Sequence, residues 1–429
     1  MARNTDPKLQ QQVVYSIYVR SHTPEGTFRA VIPDLDRIRA LGADILWFMP
    51  IHPIGVQGKK GSLGCPYANR DYRAVNPAYG TLEDFRALVD EIHARGMKVM
   101  IDVVYNHTSP DSVLWNEHPE FFYKKPDGRP GNRVGEWTDV IDLDYDQPGL
   151  WDYQIESLCF WAGIVDGFRC DVASLLPEPF WRMARAAVSR VNPDCIWLAE
   201  TVHTSFGNLC RREGLRAERD VELYDAFDIE YEYDVREFFD ACLAGTLPLS
   251  AWMAALNLQE AIYPPNYNKL RFLENHDQPR IASLVAEEDR LVSFTALLYF
   301  LKGTTLLYAG QEFADAHRPS LFERELIDRE TGRDLSALLA KLGELKRTVF
   351  SPDDWFVAAA DDERQIALLQ RGGAHGRVFG VFPLGGQGGE VNVDAPDGAY
   401  RELLSGGTVS VENGKIRCGN APLIFTCRA

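Results

Sequence analysis

The chain has 429 residues, 45% of them hydrophobic and 25% charged, and carries a formal net charge of -17. This is the make-up of a globular enzyme too long for one ordinary core, and a barrel of roughly 250 residues plus additions is the natural starting point. The acid excess excludes nucleic acid and anionic membranes as partners, because both would repel it.

In chain order, residues 1–8 are polar and hold no core for a signal peptide. Residues 13–19 read as a first strand. Ile32, Leu35, Ile38 and Leu41 mark the buried face of a helix, and residues 44–49 read as a second strand. Thr81 is placed as a helix N-cap with Asp84 three residues on; Leu82, Phe85, Leu88 and Ile92 line one face, and Gly96 ends the helix. Residues 98–101 make a third strand that delivers Asp102. Trp151, Ile155, Leu158 and Ala162 form the stripe of a helix leading to a fourth strand and Asp171. Phe180, Ala184, Ala187 and Val191 do the same before a fifth strand at 195–199 and Glu200. Further strands are expected at 224–227, 269–273 and 304–308. Eight βα units in a row predict a closed parallel (β/α)8 barrel, a TIM barrel, over 1–107 and 148–351.

Two stretches break the repeat. Residues 108–147 form a long aromatic, Gly- and Pro-containing insertion after the third strand, and a loop of that length is usually functional. From residue 352 to 429 short alternating runs separated by Gly-Gly turns predict an antiparallel β-sandwich. The longest apolar stretch, residues 294–301, is too short to cross a bilayer. Eight scattered cysteines without metal-type spacing read as free thiols of a cytoplasmic protein, with Cys170 a buried one.

Four strand ends carry the chemistry. They are Asp102-Val-Val-Tyr-Asn106-His107, Gly167-Phe-Arg169-Cys-Asp171, Trp197-Leu-Ala-Glu200 and Glu274-Asn-His276-Asp277. The C-terminal ends of parallel barrel strands share one face, so these residues would converge on one pocket. Three carboxylates beside an arginine and two histidines are a glycosidase-like set. Arg169 stands two residues before Asp171, so both side chains leave the strand on the same side.

In order and spacing the four stretches resemble the conserved regions of the α-amylase family of glycoside hydrolases, family 13. The resemblance implies a retaining enzyme that cleaves α-1,4-glucosidic bonds of starch, glycogen or malto-oligosaccharides. Asp171 would be the nucleophile, Glu200 the acid/base, and Asp277 the residue that orients sugar hydroxyls and stabilises the transition state. Glu200 must hold a proton when substrate binds, while Arg169 would keep Asp171 ionised. His107 and His276 would bond hydroxyls of the sugar at the cleavage point. Tyr67, in Pro66-Tyr67-Ala68-Asn-Arg-Asp71-Tyr72, would stack beneath that sugar. The substrate is a neutral polymer, indifferent to the chain's net charge, and the chemistry needs no cofactor.

A structural Ca²⁺ is also implied, with Asn106 and Asp142 as oxygen ligands. Ser174-Leu175 stands where the family usually has Lys-His, and a buried structural amide is the other reading of Asn106. The motifs point both ways on cleavage mode. Ala68 replaces the aspartate with which exo-acting members grip a terminal glucose, which favours an open, endo-acting cleft. Asn275-His-Asp-Gln-Pro-Arg280 looks more like the α-glucosidase branch. Trp115, Phe122, Tyr123 and Trp137 of the insertion would either hold further sugars or form the loop's own core. Transfer of the glucosyl group to a sugar uses the same intermediate as hydrolysis and stays open as an alternative, as does α-glucosidase action. The three carboxylates argue against a non-catalytic barrel, and the lack of a His or Cys cluster argues against a metal-dependent hydrolase. The sequence does not define oligomeric state.

Overall fold

A computed structural model describes residues 5–134 and 137–427. Eight parallel strands close a barrel in chain order: β1 (Val13–Ile17), β2 (Ile45–Phe48), β3 (Lys98–Val103), β4 (Gly167–Cys170), β5 (Ile196–Ala199), β6 (Ile229–Tyr231), β7 (Lys269–Arg271) and β8 (Thr304–Tyr308). Alternation along each strand sends Val14, Trp47, Met100, Leu198, Tyr231 and Leu306 into the barrel. It sends Val13, Leu46, Ile101, Phe168 and Leu307 out against the helices. The interior is therefore packed and not a pore. β4 and β5 approach so closely that a Cβ on Gly167 would stand 2.7 Å from the Ile196 carbonyl oxygen, which makes glycine obligatory there.

The helical layer follows from capping and apolar stripes. Its members are α1 (Leu35–Ala40), α2 (Leu82–Ala94), α3 (Leu150–Ala162), α4 (Glu178–Val188), α5 (Thr204–Arg212), α6 (Tyr233–Leu243), α7 (Leu249–Ile262), α8 (Glu288–Phe300) and α9 (Ser336–Thr348). α2 opens on the expected capping box between Thr81 and Asp84, and Gly96, at φ +69°, turns the chain out of it.

Two expectations are corrected. The sixth strand is Ile229–Tyr231, whereas residues 224–227 form a turn that follows the short helix Asp220–Leu223. The buried stripe of α4 is Phe180, Trp181, Ala184 and Val188; the helix ends at Val188, and Val191 lies beyond it, 50% exposed.

The insertion folds back on the barrel through a two-stranded pair, His107–Thr108 with Ile141–Asp142. After the barrel, β9 (Trp355–Asp361), β10 (Ile366–Gly373), β11 (Gly376–Pro383) and β16 (Leu423–Cys427) form one antiparallel sheet. β12 (Gly389–Asn392), β13 (Gly398–Arg401), β14 (Thr408–Glu412) and β15 (Lys415–Cys418) form a second. Phe379, Val391, Val411, Ile416 and Phe425 fill the space between them. The outer face of the first sheet packs on the barrel, where Phe300 meets Phe382 at 5.5 Å between ring centroids. Asn257 of α7 also exchanges two hydrogen bonds with the Ala358 backbone, at 2.7 and 2.8 Å. Among the described residues no helix is long and apolar enough to cross a membrane.

Candidate active site

Register explains why the charged groups meet. β3 and β4 pair Asp102 with Arg169 side by side, so their side chains share one face. Nη1 of the fully buried Arg169 donates to both oxygens of Asp102, at 2.9 and 3.1 Å, and to Asp171 Oδ1 at 2.8 Å. Its Nη2 lies 2.9 Å from Glu200 Oε2. The rings of Trp47, Tyr67 and Tyr231 surround the guanidinium, 5.3, 5.6 and 5.4 Å from their centroids. One cation thus holds three carboxyls in a site walled by aromatic rings.

The residue after Asp171 is strained. Val172 is β-branched yet has φ 36° and ψ 45°, a left-handed conformation such side chains rarely adopt. That conformation aims its N–H at Glu200 Oε2, 2.8 Å away. The turn after β4 therefore orients the carboxyl delivered by β5.

Asp277 is positioned from β7. Its Oδ2 lies 3.0 Å from His276 Nε2, and its N–H donates to Asn275 Oδ1 at 2.8 Å. The His276 ring stacks on Tyr67 with centroids 5.4 Å apart and 12° between planes, and its Nε2 is 2.7 Å from the Tyr67 hydroxyl. That hydroxyl donates to Asp102 Oδ2 at 2.9 Å, which fixes the tyrosine ring. His107 Nδ1 is 3.1 Å from the Asn106 amide nitrogen, and its ring lies against Trp137 at 5.4 Å.

The electrostatics separate the carboxyls. Burial raises Asp102 and Asp171 to about 6, against the pull of Arg169. Burial raises Glu200 further, to about 7, with Arg169 opposing and Asp171 and Asp277 adding to the rise. Desolvation by the cavity wall pushes Asp277 upward although its side chain is partly exposed, but His276, helped by Arg169 and Arg318, outweighs it and brings the carboxyl down to about 2. Burial lowers His107, which favours the neutral imidazole.

Asp171, Glu200, Asp277, Tyr67 and His107 all line one cavity of about 350 Å³. Arg169 and His276 act from beneath it. Lys60, Asp139, Phe206 and Tyr233 also line it and were not singled out from the sequence. Tyr233 has a readable signal, since it stands two residues past the end of β6, at the start of α6. The insertion's aromatics divide between the two roles left open above. Trp137 faces the cavity, whereas Trp115 packs edge-on against the buried Phe122 at 5.2 Å as part of the loop's own core.

Asn106 and Asp142 do not present a calcium site. The Asn106 amide is turned to His107. Asp142 Oδ2 accepts from the Arg133 N–H at 2.7 Å, and the Arg133 guanidinium stands 4.0 Å from the same oxygen. That guanidinium also donates to the Leu143 carbonyl at 2.9 Å and reaches Asp144 Oδ1 at 3.5 Å. Calcium takes six to eight oxygen ligands. Here Arg133 flanks one oxygen of Asp142, the other is buried without a partner, and among the described residues no group of three or more His, Cys, Asp or Glu could hold a metal. The implied donor set does not fit Ca²⁺.

Residues 4–128 and 135–350 match the family of α-amylase catalytic domains, and residues 358–425 match the bacterial α-amylase C-terminal domain. An α-amylase from Lactobacillus plantarum, known from its crystal structure, is 42% identical with a TM-score of 0.94, over 98% of this chain and 100% of that one. A noncanonic maltogenic α-amylase from Thermotoga neapolitana is 30% identical with a TM-score of 0.87, over 98% and 100% of the two chains. An α-1,4-glucan:maltose-1-phosphate maltosyltransferase of Rhodospirillum rubrum is 38% identical over 211 residues, 43% of this chain. The match spans only 30% of that relative's length. With most of its length matched and its fold shared end to end with a bacterial α-amylase, the chain belongs to the α-amylase family, glycoside hydrolase family 13.

Proposed function

We propose that the protein is a retaining glycoside hydrolase of α-1,4-glucans, acting on starch, glycogen or malto-oligosaccharides. The observation that carries this reading is the single guanidinium of Arg169 set between Asp171 and Glu200. Asp171, which loses its proton first, attacks the anomeric carbon as the glycosidic C–O bond breaks. Glu200, which keeps its proton to higher pH, gives it to the departing oxygen. In the second half-reaction Glu200 takes a proton from water, the water oxygen bonds to the anomeric carbon, and Asp171 is released. Asp277, ionised throughout, binds sugar hydroxyls and stabilises the positive charge that develops on the ring. Neutral His107 and the Tyr67 ring position the same sugar.

The likeness to a maltosyltransferase supports one second reading, in which a sugar hydroxyl replaces water in the second half-reaction. Incubation with starch, maltose, maltotriose and maltoheptaose, followed by chromatography, separates the two. Net gain of reducing ends supports hydrolysis. Longer products without such gain support transfer, and absence of any product defeats both.

A further inference from the structure

Glu200 sets the direction in which a bound glucan runs. It protonates the oxygen of the bond that breaks, so the leaving portion lies on its side of the cavity and the glycone on the far side. In a barrel of eight strands closed in chain order, β1 stands opposite β5, the strand that delivers Glu200. The rim facing Glu200 is therefore built by the loops after β8, β1 and β2.

These loops are joined to one another. The Leu63 N–H donates to the Phe322 carbonyl at 3.0 Å, and Ser62 donates its N–H, at 2.7 Å, and its hydroxyl to the Glu323 carboxylate. Gly61, at φ +64°, lets them approach: a Cβ there would stand 2.6 Å from that of Phe322. Beneath them Arg20, from the loop after β1 and 8% exposed, donates to the carbonyls of Gly64 and Leu321, each at 3.2 Å, and of Leu63 at 3.4 Å. Phe322 of this wall lines the same cavity as Glu200.

The insertion completes the rim. Lys60 Nζ lies 2.9 Å from Asp139 Oδ1, and both residues line the cavity. Asp139 is 3% exposed, and its other carboxylate oxygen has no hydrogen-bond partner among the described residues. A buried acceptor beside an ammonium donor suits neighbouring hydroxyls of a terminal glucose, one donating and one accepting. Resting on the hydrolase reading, we propose that the glycone end is closed: the enzyme is exo-acting, grips the non-reducing end of a glucan through Lys60 and Asp139, and removes a short unit from it. The carboxylate that Ala68 cannot supply comes from the insertion.

The test uses maltoheptaose labelled at its reducing end, with the non-reducing glucose either free or blocked. Closure requires rapid shortening of the free substrate by a short unit from the unlabelled end and at least about a tenfold loss of rate on the blocked one. Equal internal cutting of both overturns the closed end and leaves glucan hydrolysis standing. Cleavage of neither overturns the hydrolase reading, and this proposal with it. Asp139→Ala and Lys60→Ala are expected to raise KM for maltotriose by at least about tenfold, the effect of a lost hydrogen bond to a charged group, with a smaller change in kcat. The second removes a half-exposed side chain, so its fold is safe. An unchanged KM in both overturns the gripping role.

Discussion

At the scale of single residues, the order in which protons leave the site determines how it works. Asp171 must be ionised and Glu200 protonated, so kcat/KM falls as pH drops below the nucleophile's value of about 6 and falls again as it rises above the acid's value of about 7. The expected profile is a narrow bell between slightly acid and neutral pH, whose two limbs belong to the coupled pair. A flat rate from pH 4 to 9 would contradict it. Asp171→Asn is expected to abolish turnover while oligosaccharide binding, measured by calorimetry, survives. Glu200→Gln should be as damaging on maltoheptaose but milder on an aryl glycoside whose leaving group needs no proton. Equal losses on both substrates would remove Glu200 from the acid role. The seven residues singled out as catalytic or substrate-binding meet in or beneath one cavity; six were legible because they sit in short motifs at strand ends, and Tyr67 because it sits in a motif of the loop after β2. Lys60 and Asp139 were not. They are far apart in the chain, belong to no motif, and become a pair only when the insertion folds over the barrel.

Elements were legible where apolar period and caps agree, as in α2, and hidden where a charge is buried. β6 reads Ile-Glu-Tyr, and its central Glu230 breaks the apolar run. Burial pushes its carboxyl well up, with Lys269 of β7, 3.3 Å away, opposing the rise. The more apolar residues at 224–227, by contrast, fall in a turn. The α4 stripe was overrun for a related reason, since period alone does not tell where a helix stops. The insertion is held by Arg133 in the place where the family resemblance implies calcium. Chelator is therefore expected to leave thermal unfolding unchanged, and added calcium to leave it unchanged too. Arg133→Met keeps the backbone N–H that bonds Asp142 but should cost about 1–3 kcal/mol by leaving the Leu143 carbonyl short of a partner and Asp142 without its nearby cation. A fall in Tm with chelator, restored by calcium, would refute this account of the insertion.

Across the whole molecule, a barrel carries the chemistry and a sandwich supports it. No residue named above from the site lies beyond β8 and its loop, and the contact between the two bodies runs through α7, α8 and the first sheet. Asn257→Ala removes two hydrogen bonds across that contact and is expected to lower stability by about 1–3 kcal/mol with kcat unchanged. A large change in kcat at full folding would show that the sandwich reaches the site. The central claim, however, is the covalent role of Asp171. Mass spectrometry of the enzyme quenched with a 5-fluoro-α-maltosyl fluoride, followed by peptide mapping, tests it directly. The expected result is one stoichiometric glycosyl adduct on the peptide carrying Asp171, absent from Asp171→Asn. An adduct on another residue, or turnover of the reagent with release of the inverted product and no adduct, would contradict it.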